Sequence, residues 1–259
     1  MPLGLEGKHA LVCGATQGIG LAAAQHLAAL GADVTILARN EDRLKKALES
    51  LPGSGSKAYA VADFSDPESV AAAAEGVAAA KPVHVLVNNT GGPAGGPITE
   101  ASPEAFEATF RQHLICNQLL AQAVLPGMKD ARFGRIINVI STSVKVPLNG
   151  LGVSNTVRGA VASWAKTWAN EVGAHGVTVN NVLPGATNTG RLEQIIDAKS
   201  AKTGQPVDAI RSQMATAVPM GRTGEPHEVA RAIAFLASPA ASYISGINLP
   251  VDGGRTGSL

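Results

Sequence analysis

Short apolar runs, rich in β-branched residues, alternate along the whole chain with segments of helical length, and this alternation limits the fold more than any other feature. His9 to Cys13, Asp33 to Ala38, Lys57 to Ala62, Val83 to Asn88, Arg135 to Ile140, Val177 to Leu183 and Ile247 to Val251 read as strands. Most are apolar almost without a break, as strands covered on both faces are. Between them, Ile19 to Leu30, Glu41 to Ser50, Pro67 to Ala80, Pro103 to Met128, Val153 to Ala174 and Pro226 to Ala237 read as helices. Such alternation predicts an α/β fold: a doubly wound parallel sheet of about seven strands, with right-handed crossovers and helices on both faces. The chain shows no repeat and no linker, so residues 1–259 read as a single domain.

Composition supports a tightly packed interior. Hydrophobic residues make up 45% of the chain and aromatic ones only 3%, so the core is built of Ala, Val, Leu, Ile and Gly. The net charge is +1 with both signs interspersed, which favours neither a nucleic-acid nor a membrane surface. Cys13 and Cys116 form neither a CxxC motif nor a metal-ligand spacing. They read as reduced thiols of a cytoplasmic protein, and no metal site is expected. The amino terminus shows no signal-peptide pattern, and no stretch is apolar for long enough to span a bilayer.

The first strand runs into Gly14-Ala15-Thr16-Gln17-Gly18-Ile19-Gly20, and a helix follows at once. Gly14 permits a tight turn, Gly18 lets a diphosphate approach the backbone amides, and Gly20 lets helix and strand pack closely. Thr16, Gln17 and Ile19 complete the loop. In this strand-turn-helix context the pattern points to a dinucleotide site of the Rossmann type, although glycines before a helix also serve plain turns. The second strand ends at Ala38-Arg39. An acid there would accept the ribose 2′-hydroxyl of NAD, whereas an arginine can hold the 2′-phosphate of NADP. NADP(H) is therefore favoured over NAD(H), with a merely solvated Arg39 as the alternative.

Further segments carry a resemblance. Asp63-Phe64 follows the third strand, and Asn88-Asn89-Thr90-Gly91 follows the fourth. Asn180-Asn181-Val182-Leu183-Pro184-Gly185 leads to Thr187 and Thr189, and Val251-Asp252-Gly253-Gly254 lies near the end. In this order the motifs resemble the short-chain dehydrogenase/reductase superfamily over nearly the whole chain, and most of all its 3-oxoacyl-acyl-carrier-protein reductase-like members. The resemblance implies that Asp63 and Phe64 flank the adenine. It implies that Asn89, Gly91, Pro184, Gly185 and Thr187 line the cofactor cleft and that Thr189 binds the carboxamide or the diphosphate. It also implies a homodimer or homotetramer built through the long helix beyond Val153.

The family's catalytic residues are Asn, Ser, Tyr and Lys, and here the pattern departs. Ser141 takes the serine position. Thirteen residues on, where the family has its tyrosine, stands Ser154, and four further on, at the lysine position, stands Arg158. The asparagine position falls on His113. A phenol beside a cation can be tuned toward neutrality, whereas a serine hydroxyl needs an adjacent base or relay. Arg158 keeps the charge and can bond ribose hydroxyls, but it cannot pass on a proton. Imidazole titrates near neutrality, so His113 is expected either to relay protons to a site framed by Ser141, Ser154 and Arg158, or to be a hydrogen-bonded helix residue without a chemical role. Lys145 is a weaker candidate donor. Ser154-Asn155-Thr156 could instead cap a helix. Trp164 and Trp168 share a helix face and could line a substrate pocket, though core or subunit packing suits them better.

The sequence thus suggests an atypical NADP-linked oxidoreductase acting on a small carbonyl or alcohol, with a catalytically impaired NADP-binding sensor or structural protein as the alternative. Residues 184–207 read as an irregular, mobile lid. With Arg191 and Glu193 the nearest charges, the pocket leans toward neutral or acyl substrates.

Overall fold

The computed structural model describes residues 3–258. Its sheet comprises β1 (His9–Cys13), β2 (Asp33–Ala38), β3 (Lys57–Val61), β4 (Val85–Asn88), β5 (Gly134–Val139), β6 (Val177–Pro184) and β7 (Asn248–Val251). All seven are parallel, in the order β3-β2-β1-β4-β5-β6-β7. The chain reverses its winding between β1 and β4, and in open sheets of this kind ligands bind at that switch point, beyond the carboxyl ends of the strands.

The continuous apolar runs are explained by two core layers. Ala10 and Val12 of β1 face one layer, packed by α1 (Gly18–Ala29), α2 (Glu41–Glu49) and α9 (Pro226–Ala237). Leu11 and Cys13 face the other, packed by α3 (Pro67–Ala80), α5 (Cys116–Asp130) and α6 (Gly152–Val172). Every β1 residue is therefore buried, as a strand covered on both sides requires. Both cysteines are buried and unpaired, and burial raises the Cys116 thiol to about 12.

Four asparagines cross the sheet in register. Asn88 donates to Asn138 at 2.8 Å, Asn138 to Asn181 at 2.9 Å, and Asn181 to Asn248 at 2.8 Å. Asn138 is wholly buried, and each link satisfies an amide that would otherwise destabilise the interior. The ladder lies just before the strand ends that carry the site, and it holds β4 through β7 in one alignment.

Two expectations need correction. Residues 184–207 are not irregular throughout: α7 (Gly190–Thr203) occupies most of the stretch, and α8 (Val207–Thr216) follows. Leu192, Ile196 and Ile210 form a small apolar cluster between these two helices. The helix expected from Pro103 to Met128 is interrupted. After α4 (Pro103–Phe110) comes a π-helical turn, Arg111–Ile115, before α5 begins. Such turns place one extra residue in the helix and redirect side chains, often at functional sites.

Candidate active site

The phosphate loop has the geometry its glycines suggest. Gly14 and Gly18 sit at φ +59° and +57°, in the left-handed region that glycine tolerates. A Cβ on Gly20 would lie 2.3 Å from the Gly14 carbonyl oxygen, so α1 can approach β1 only with glycine there. Asn89 clamps the loop from below, its amide donating to the Cys13 and Gly14 carbonyls at 3.3 and 3.2 Å. Gln17 precedes α1 without a side-chain cap, so no side chain occupies the free amides of the first turn. Thr189 closes the cradle, its methyl group 3.2 Å from where a Gly18 Cβ would stand. Its hydroxyl also caps α7 through the Leu192 amide. A cofactor diphosphate fits this cradle, since it brings the negative charge and the acceptors that a bare helix start favours.

At the adenosine end, Asp63 accepts from the Ser65 amide at 2.9 Å. That bond, the Ser65 side chain and the Arg39 charge hold its carboxyl below the usual range. Arg39 is exposed, and Phe64 is buried behind Asp63. Thr16 and Gln17 border a groove of about 400 Å³ whose far wall carries Arg43 and Lys46. Sequence reasoning missed these two cations, although their spacing of three residues in α2 offered the signal.

Ser141 lies two residues beyond the fifth strand in extended backbone, and its Oγ accepts from the Ser143 amide at 3.1 Å. Lys145 closes the short 3-10 turn that follows. Ser154 is half-buried in the first turn of α6. The capping role considered for it is overturned, because α6 already starts at Gly152 and Leu151 occupies the cap position. Asn155 donates to the Leu148 carbonyl, and Thr156 bonds back to Gly152 within the helix. Arg158, one turn on, is only 9% exposed, and its Nη1 donates to the Val139 carbonyl at 2.9 Å. Burial, reinforced by the Arg191 charge, lowers it to about 10. Gly91 and Gly92 lie on the loop above.

The π-helical turn buries His113 and brings its Nδ1 within 2.8 Å of the Thr90 hydroxyl. Its Nε2 is buried without a well-formed hydrogen bond. Burial and then the Arg158 charge push the imidazole down to about 3, with the Gly91 backbone offsetting part of this. The expectation that His113 titrates near neutrality is therefore overturned, and the ring is neutral throughout the physiological range. A histidine depressed on folding stabilises the fold fully above its unfolded value near 6.5, and that stability is lost as pH falls toward 3. Between pH 6.5 and 5 the loss from this residue comes to about 2 kcal/mol. Denaturant titrations of the native protein and His113→Asn should show the native chain losing that much more stability on acidification. A difference between the two that does not change with pH would overturn the assignment.

Trp164 and Trp168 belong to packing. Both indole N–H groups donate to the Gln118 side chain, at 2.7 and 3.0 Å, with ring centroids 5.8 Å apart. Pro184 ends β6, and Gly185 could not carry a side chain, because a Cβ would fall 2.8 Å from Asp252. Thr187 is buried and bonds the Gly185 carbonyl. Among the described residues no helix is long and apolar enough to cross a membrane.

A seven-stranded parallel sheet with a glycine cradle at its switch point, and Ser, Ser and Arg beyond the fifth strand, defines a nucleotide-binding α/β protein of the dehydrogenase type. Comparison with known proteins makes this specific. Residues 14–256 match a family model described as Enoyl-(Acyl carrier protein) reductase. A 3-oxoacyl-(acyl-carrier-protein) reductase of Vibrio cholerae is 36% identical over 255 residues, covering 97% of this chain and 98% of that one. Gluconate 5-dehydrogenase of Gluconobacter oxydans is 32% identical over 260 residues, covering 98% and 97%. The solved structure of L-sorbose reductase from Gluconobacter frateurii, complexed with NADPH and L-sorbose, superposes with a TM-score of 0.94 at 30% identity over the full length of both chains. The chain belongs to the short-chain dehydrogenase/reductase family.

Proposed function

We propose that this protein is an NADP-dependent carbonyl reductase or alcohol dehydrogenase with an altered catalytic set, Ser154 and Arg158 standing where relatives carry Tyr and Lys. The observation that carries the reading is the cradle formed by Gly14, Gly18 and Gly20 at the uncapped start of α1. The NADPH complex of the sorbose reductase relative supports the choice of cofactor. When bound, the dinucleotide supplies or accepts a hydride. The chain's own residues do the rest. Thr16, Gln17, Ile19 and Thr189 surround the diphosphate, and Arg39, Arg43 and Lys46 supply charge for the 2′-phosphate. Asp63, Phe64, Asn89, Gly91, Pro184, Gly185 and Thr187 line the remainder of the cleft. Ser141 and Ser154 donate hydrogen bonds to the substrate oxygen, and Arg158 stabilises the negative charge that develops there. Residues 184–207, now seen to contain α7, act as the lid. Assembly as a homodimer or homotetramer and a cytoplasmic location complete the reading, with exposed Phe110 at the end of α4 available for subunit contact.

Two measurements test this. Arg39→Glu should weaken NADPH binding relative to NADH by about ten- to a hundredfold, the size expected for losing a charge-assisted phosphate contact. An unchanged preference in fluorescence titrations would remove Arg39 from the site. Loss of the reduced-nicotinamide absorbance across a panel of ketones and aldehydes tests turnover. A second reading, a cofactor-binding protein with little turnover, draws on the neutrality of His113, which removes that imidazole as a proton store near pH 7. Tight NADPH binding with no oxidation on any carbonyl would favour it.

A further inference from the structure

Arg158 raises an electrostatic problem that the reading above does not solve. A buried cation is ordinarily matched by an acid, because desolvation is costly. No described carboxylate forms an ion pair with it, and the charge acting on it is a like one, that of Arg191. Both guanidinium groups converge on one place. A Cβ on Gly92 would lie 3.7 Å from Nη2 of Arg158, 3.6 Å from Nη2 of Arg191 and 3.8 Å from its Nε.

Arg191 is held there deliberately. It sits at the second position of α7, where a cation opposes the helix dipole, and its Nη2 is anchored on the Pro93 carbonyl. The nearest acid in the chain, Glu193, does not neutralise it. Glu193 forms a two-pronged bond with Arg211 instead, at 2.9 and 2.7 Å. Gly92 itself carries no side chain that would fill the space between the two arginines.

We propose that the two arginines bind an oxyanion on the substrate, a carboxylate or a phosphate ester, with Arg158 and Arg191 as its ligands beside the Gly92 backbone. The proposal rests on the oxidoreductase reading and sharpens it: the substrate is an anionic carbonyl compound rather than a neutral one. Arg158 spends Nη1 on Val139 and Arg191 spends one contact on Pro93, which leaves each guanidinium further N–H groups to offer. Two converging guanidinium groups suit a planar or tetrahedral oxyanion. Because Arg191 belongs to the lid helix, anion binding also ties the lid to the loop at Gly92 and Pro93.

The test uses the full chain loaded with NADP+, titrated calorimetrically with matched pairs: acetoacetate and methyl acetoacetate, levulinate and methyl levulinate, dihydroxyacetone phosphate and dihydroxyacetone. At least one anion should bind about ten- to a hundredfold more tightly than its neutral partner, and which pair shows the preference separates carboxylate from phosphate. Arg191→Gln should erase that preference, and Arg191→Lys should keep part of it. Neutral partners that bind as well as the anions, no binding by any anion, or a preference that survives Arg191→Gln would each overturn the proposal. Failure of NADP+ itself to bind would instead defeat the cofactor reading, so the two failures are distinguishable.

Discussion

Replacing Gly20 with valine should abolish cofactor binding, lowering NADPH affinity at least about a hundredfold, while leaving a chain that still folds. The cause is steric. A Cβ at this buried position would meet the Gly14 carbonyl oxygen at 2.3 Å, the Asn89 amide nitrogen at 2.7 Å and the Gly14 carbonyl carbon at 2.8 Å. Two of these are backbone atoms, and the third, the Asn89 side-chain amide, is held by its bonds to the Cys13 and Gly14 carbonyls, so α1 must move away from β1. That movement breaks the Asn89 clamp and displaces the uncapped amides on which the diphosphate depends. Overpacking of this kind costs about 1–3 kcal/mol in stability, which a domain of this size survives. Affinity suffers more, because several charge-assisted bonds to one ligand are misaligned together. Gly76→Ala provides the control. Nothing lies within 4 Å of its added Cβ, and the helix should gain about 0.5–1 kcal/mol without any change in NADPH binding. NADPH bound by Gly20→Val within threefold of native affinity would show that the diphosphate lies elsewhere.

Much of this architecture is legible in the residues. Each strand is legible to within one or two residues of its observed bounds, most sharply β1 and β4, whose burial on both faces leaves apolar runs, whereas β3 and β7 at the sheet edges are only partly buried. The glycine cradle was legible for a similar reason, since each glycine answers a separate steric demand. The lid was not. The α7 helix buries only Leu192 and Ile196, too few apolar positions to show against the glycines and threonines before it. Without α7 and α8 the pairing of Glu193 with Arg211 is invisible, and Glu193 reads as an unpaired charge near the pocket. His113 shows a different limit. Its identity suggested titration near neutrality, but its burial depends on a π-helical turn that leaves no mark in the hydrophobic period. The asparagine ladder needs the register of four strands before Asn88, Asn138, Asn181 and Asn248 can be seen to meet.

Putting a tyrosine at position 154 should raise turnover by about 10²–10⁴, the usual contribution of a positioned general acid. Arg158 sets the size of this gain. This guanidinium is buried and remains protonated at neutral pH, with burial and Arg191 lowering it only to about 10. A phenol one helical turn away would feel that cation in a medium of low polarity, and its own value would fall from about 10 toward the working range. A serine hydroxyl in the same field stays far too weak an acid to give up its proton. Ser154 is only partly buried, so the larger ring is not confined to a closed interior. The pH profile should change as well, with Ser154→Tyr acquiring a limb that the native protein lacks. Adding Arg158→Lys to that variant separates two roles. The lysine preserves charge but gives up the guanidinium geometry, so any preference for anionic substrates should weaken while the gain from the phenol persists. Initial rates on a carbonyl panel, measured with saturating NADPH, decide the matter. A Ser154→Tyr protein that binds NADPH normally yet turns over no faster than native would place the proton donor outside α6, and it would leave Ser141 as the hydroxyl on which reduction depends.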